Sequence, residues 1–144
     1  MHFLTAMNQW RERMKARTHG FAVDVIVFVR TIPDCSETRR LKDQLVGAAW
    51  GMNGNWRAAC RARTHKEFTS KLGTVVEEAD EAEEALNVMH DSKMSTSAAL
   101  ARLRDEATQL RAIFSKASRT ASDNERRNRE RRRGKDRSED GRPS

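Results

Sequence analysis

At 144 residues, with 37% hydrophobic and 34% charged side chains, the chain has room for one small domain with a core of ordinary size and little for a second. Its Ala-, Glu- and Arg-rich composition, with Pro33 the lone proline before the penultimate residue, argues against an all-β fold. The net charge of +7 favours polyanionic partners; residues 121–144 hold nine Lys/Arg and six Asp/Glu, so +3 lies there and +4 in the rest.

Residues 1–18 form an N-terminal extension in which Phe3, Met7, Trp10 and Met14 recur at four-three-four spacing among arginines, the pattern of a short amphipathic helix. The apolar run 21–29 is interrupted by Asp24 and is half the length a bilayer crossing needs, so no membrane span is predicted. Its five β-branched residues fit a buried strand, and Phe21, Val25, Phe28 and Ile32 fit a helical face. The helix is favoured, because a lone strand would find no pairing partner elsewhere in the chain. Pro33 ends it, and residues 31–36 form the connection.

Ser36 is the expected N-cap of a second helix reaching to about Arg63, with Glu37 facing the positive end of the dipole. Thr64 and Glu67 fit a capping box for a third helix ending near His90. Residues 91–97 read as a polar turn, and a fourth helix runs from about Ser97 to Ala121. Each of the last three helices carries an apolar stripe: Leu41, Leu45, Ala48, Met52; then Phe68, Leu72, Val75, Ala79, Ala82, Leu86, Met89; then Leu100, Leu103, Ala107, Leu110, Phe114, Ala117. Short connections between long helices predict an all-α, antiparallel up-down-up-down four-helix bundle over residues 19–121. From 122 to 144 apolar side chains vanish, and a disordered or marginally helical Arg-rich tail is expected.

The second helix is unusual. Its stripe reaches Asn55, a polar amide that would fix register or association state. Gly47, Gly51, Gly54 and Ala58 form a second stripe of small residues, and each interior glycine costs roughly 1 kcal/mol unless packing compensates. This stripe serves either a tight contact within the bundle or a subunit interface. Trp50 and Trp56, on different faces, suit core packing or a second buried surface; together these features predict a homo-oligomer.

Arg57, Arg61, Arg63 and Lys66 cluster at the end of the second helix, and Arg39, Arg40 and Lys42 at its start. They are either a phosphate-backbone footprint or cations paired with the acidic third helix, which carries Glu77, Glu78, Asp80, Glu81, Glu83 and Glu84. The tail run Arg126, Arg127, Arg129, Arg131, Arg132 and Arg133 would hold RNA or DNA without reading sequence, or is an idle solvated segment. No catalytic, cofactor or metal site is predicted. None of the four histidines follows a Glu at the spacing a di-iron bundle requires, Cys60 and His65 lack further ligands, and no phosphate-cradling glycine loop or nucleophile elbow is present. Cys35 and Cys60, without a CxxC pair or a leader pattern, indicate a reduced, cytoplasmic protein.

Between Gly20 and Ala121 the chain resembles the bacterial four-helix bundle protein family, first noticed as reading frames in intervening sequences of large-subunit ribosomal RNA genes. The residues carrying the resemblance are Phe21-Ala22-Val23 with Pro33, Gln44-Leu45, Asn55, Lys66-Glu67-Phe68, Lys71-Leu72, Glu78-Ala79-Asp80-Glu81, Leu86 and His90-Asp91-Ser92. Where the family pattern has an isoleucine after the asparagine and a glutamate three residues after it, this chain has Trp56 and Ala58, so a role for that glutamate does not carry over. The resemblance implies a homopentameric assembly. It also implies a non-catalytic role like that of a related protein, the accessory variability determinant of diversity-generating retroelements, which binds a reverse transcriptase and nucleic acid. The resulting expectation is a non-enzymatic, homo-oligomeric bundle binding RNA or DNA as accessory to such an enzyme; the alternative is a protein-interaction scaffold with no nucleic-acid role.

Overall fold

A computed structural model describes residues 2–141; Met1 and residues 142–144 of the two terminal segments, and the side chain of Phe3, lie outside what is described. The described residues form four α-helices and no strand: α1 (His2–Val29), α2 (Ser36–Cys60), α3 (His65–Asp91) and α4 (Ala98–Asp140). Each helix packs on two others in the cyclic order α1, α2, α3, α4. Contacts across α1–α2 join Arg11 with Trp56 and Thr18 with Asn53, and Lys42 reaches Ile32 in the connection between them, rising numbers meeting falling ones. The same inversion joins Asn87 with Arg104 and Glu83 with Arg111 across α3–α4.

The segment 21–29 is helical, and it belongs to a longer helix than expected. α1 runs unbroken across residues 18 and 19, with Gly20 in its interior, so the N-terminal extension has no structural boundary there. The helix ends because Pro33 cannot continue it. Thr31 and Ile32 then close tight turns onto the carbonyls of Phe28 and Val29. Ile32 is buried, and Lys42 fastens the connection by donating to its carbonyl (2.8 Å) and to the Asp34 carboxylate (2.6 Å).

The cap of α2 falls one residue before the expected Ser36. Cys35 is the N-cap, and the Thr38 hydroxyl accepts from its backbone N–H at 2.9 Å. Thr64 caps α3 as expected, accepting from the Glu67 N–H at 3.0 Å; the Glu67 carboxylate reaches back one residue further, to the Arg63 N–H. α3 stops in a Schellman arrangement, Lys93 N–H to His90 carbonyl and Met94 N–H to Met89 carbonyl, with Lys93 in the left-handed region at φ 58°. Ser97 then caps α4 by accepting from Leu100 N–H.

Of the two states expected for the tail, disordered or marginally helical, residues 122–140 take the helical one and continue α4. Nucleation is the costly step, and the packed turns up to the buried Ala121 supply the nucleus. Arg, Glu and Lys are good helix formers, and Asp123–Arg126 and Glu125–Arg129 pair at helical spacing just beyond.

The three stripes become one core, with Leu45, Met52, Leu72, Val75, Leu86, Met89, Leu110 and Phe114 fully buried, joined by Phe21, Val25 and Phe28 of α1. Trp56 sits at its α2–α3 end with no exposure, against Trp10 (5.3 Å between ring centroids), Phe114 (5.1 Å) and Phe68 (6.3 Å). Its indole N–H donates to the Arg11 carbonyl at 3.3 Å, which satisfies the one polar atom this ring buries.

Candidate nucleic-acid interface

The structure splits the predicted cations of α2 into two groups. Arg39 and Arg40 are exposed in its first turns, and Lys42 is occupied by Asp34, whose carboxyl it holds below the usual range through their hydrogen bond. Arg57, Arg61, Arg63 and Lys66 are exposed at the opposite end. Twenty-two residues at 1.5 Å each separate Arg39 from Arg61 by about 33 Å, so the two groups do not form one patch.

The second group shares its end of the bundle with the root of the arginine helix. The His65 Nε2 lies 3.0 Å from the Ala121 carbonyl, which ties the first turn of α3 to the point where α4 leaves the core. Two further cations on or near this end escaped the sequence reading. The Arg11 guanidinium covers the Phe68 ring at 5.0 Å, and Arg119 is exposed two residues before Ala121. Arg11 was concealed because it reads as one of several arginines in an N-terminal segment, and only the aromatic cluster beneath it fixes its place.

The acidic residues of α3 do not neutralise these cations. Glu83 bonds Arg111 of α4 at 2.8 Å, and among the described residues no ion pair joins an α2 cation to an α3 carboxylate. Glu78 lies against α2, where a Cβ on Gly51 would meet its carboxylate at 2.8 to 3.0 Å. Burial there, with Glu81 and Glu77 beside it, pushes the Glu78 carboxyl above its ordinary range. A raised carboxyl favours proton binding in the folded state. Stability therefore falls as pH rises from the unfolded-state value through the folded one, and the penalty is fully present at neutral pH. Glu78→Gln is expected to stabilise the chain at pH 7 by less than about 1 kcal/mol, since water screens the site. The gain should vanish near pH 4 in urea titrations.

The second stripe of α2 divides. Only Gly51 makes a close approach within the chain; Gly47 and Gly54 are exposed, and a Cβ on either would meet nothing within 4 Å. Ala58 is half-buried. A tight contact within the bundle therefore holds for Gly51 alone. Trp50 is 65% exposed, whereas Trp56 is core. The buried amide of α2 is Asn53, 3.2 Å from the buried Thr18 hydroxyl, and not Asn55, which is half-buried and donates to the Gly51 carbonyl at 2.8 Å. On α1 the outer face exposes Val23 (45%) and Val27 (54%).

Both cysteines are free thiols. The hydrogen bond between its thiol and the Thr38 hydroxyl draws Cys35 below its ordinary value, and burial raises Cys60. Among the described residues no group of three or more His, Cys, Asp or Glu side chains is placed to hold a metal ion, and no helix is long and apolar enough to cross a membrane.

Four helices around one core, with exposed cations at both ends of α2, define an all-α helical protein. The family model described as 23S rRNA-intervening sequence protein matches residues 12–116, and the chain belongs to that family. The match begins inside the segment that the sequence resemblance left out, in keeping with the continuity of α1. A solved structure from the S23 ribosomal protein family of Bacteroides thetaiotaomicron, titled a protein with unknown function, is similar at 18% identity with a TM-score of 0.67. The similarity covers 76% of this chain and 97% of that one, and it shows the shared fold. No curated protein matches the chain.

Proposed function

We propose that the chain is a non-enzymatic, cytoplasmic, homo-oligomeric up-down-up-down bundle that binds RNA or DNA through Arg57, Arg61, Arg63, Lys66 and the arginine helix of α4. On this reading it serves as accessory to a nucleic-acid enzyme such as a reverse transcriptase, and the family resemblance favours a pentamer. The observation that carries the reading is the joining of the α2–α3 end to Ala121, so that both sets of cations leave the bundle together. Titration of the full chain with structured RNA and with duplex DNA tests it. The logarithm of affinity is expected to fall with the logarithm of salt at a slope equivalent to several phosphates, and no binding at about 50 mM salt would refute it.

The alternative, a protein-interaction scaffold without nucleic acid, is favoured by exposed Trp50, Val23 and Val27. Self-association on the glycine face has its own test. Gly47→Ala and Gly54→Ala have open space for the added methyl and improve helix propensity, so each is expected to stabilise the lone chain by about 1 kcal/mol. If a second copy packs on that face, the same substitutions shift sedimentation toward the smaller species. A stability gain with unchanged association would remove Gly47 and Gly54 from the interface.

A further inference from the structure

The arginine helix is charged all round, and this narrows what it can hold. Arg127, Arg131, Arg132, Arg133, Lys135 and Arg137 carry no ion pair among the described residues, whereas Arg126 and Arg129 are paired with Asp123 and Glu125 near the root. At about 100° per residue the six unpaired cations encircle the axis, with no gap wider than about 100°. A helix lying on a flat surface or along a single strand would present only part of this ring to phosphates. Residues 122–140 contain no apolar side chain, so the helix has no face to enter a bilayer.

We propose, as a deepening of the nucleic-acid reading on which it rests, that the α4 extension inserts as a rigid helix into the major groove of B-form duplex DNA. A helix about 10–12 Å across matches a groove about 12 Å wide that carries phosphates on both walls. The A-form major groove of duplex RNA is too narrow, and the B-form minor groove is about half the required width. The twelve residues from 126 to 137 span about 18 Å, over which B-DNA displays about ten phosphate charges. Eight cations and the two acids Glu130 and Asp136 give that stretch +6, enough to answer most of them. Rigidity comes from α4, whose packed turns hold the helix at the bundle and limit the orientations it can lose on binding.

The test uses the full chain, a duplex DNA of about 20 base pairs, the RNA duplex of the same sequence and its single strand, at about 100 mM salt. Asn128→Pro leaves the charge intact but severs residues 129–140 from their nucleus, leaving a segment too short to be helical alone. Asn128→Ala keeps charge and helix. Insertion predicts that Asn128→Pro weakens DNA binding about tenfold or more, that Asn128→Ala does not, and that the RNA duplex binds about tenfold more weakly than DNA. An unchanged thermal midpoint establishes that the bundle of the proline variant is intact. Equal DNA binding by the proline variant overturns insertion, because a flexible polycation would then suffice; equal or tighter binding of the RNA duplex overturns the groove assignment. A third variant, Arg131→Gln, Arg132→Gln and Arg133→Gln combined, separates the two levels. If it weakens binding while Asn128→Pro does not, only insertion fails; if it binds as tightly as the full chain and the affinity of neither responds to salt, the underlying reading fails too.

Discussion

Replacing Trp56 by alanine is expected to destabilise the chain by about 3–5 kcal/mol, read as a lowered urea midpoint at unchanged slope. The ring has no exposure and touches aromatic side chains from three other helices: Trp10 of α1, Phe68 of α3 and Phe114 of α4. Its removal leaves a cavity that four helices would have to close together, and it strips the Arg11 carbonyl of its indole donor. Against a typical stability of about 5–15 kcal/mol, that is a large fraction of the whole. Trp50→Ala is the matched control: it removes the same side chain from the same helix at an exposed position and is expected to change stability by about 0.5 kcal/mol or less. An equal loss for the two would contradict the central place given to Trp56.

The contrast between these tryptophans marks the limit of what periodicity reveals. The seams of α3 and α4 were legible because each follows the four-three spacing through its whole packed length, and the threonine and serine caps fixed where they begin. On α2 the same spacing leads from Met52 to Asn55, yet the buried positions are Met52, Asn53, Trp56 and Ala59. α2 packs on both α1 and α3, so its buried arc is wider than a two-position seam and admits neighbours of the expected residue. No local pattern distinguishes Asn53 from Asn55; the choice depends on Thr18 of another helix. The tail illustrates the converse. Its composition offers nothing to a core, and disorder follows if it is considered alone, but α4 gives it a helical start that composition does not record. Of the candidate interface, the cations themselves were legible, while their division into two ends about 33 Å apart follows from the length of α2.

Deletion of residues 122–144 is expected to leave the fold intact and to remove most of the attraction for nucleic acid. The deleted helix is exposed apart from half-buried Glu125, and the core closes at Ala121, so the thermal midpoint should barely move. Binding should change in both magnitude and salt response. With Arg57, Arg61, Arg63 and Lys66 as four phosphate contacts, and the six unpaired cations of the extension as six more, the full chain should show a log–log slope near −9 on duplex DNA. The truncated chain should show a slope near −4. Between about 50 and 200 mM salt this corresponds to a fall of roughly 10⁵-fold for the full chain and roughly 10²-fold for the truncated one. The two slopes test the interface more sharply than either affinity alone, because a bundle surface acting without the helix would give the same slope before and after truncation. Equal slopes would assign binding to the body of the bundle and deprive the arginine helix of its role; a slope near zero after truncation would remove Arg57, Arg61, Arg63 and Lys66 and leave the helix as the whole site.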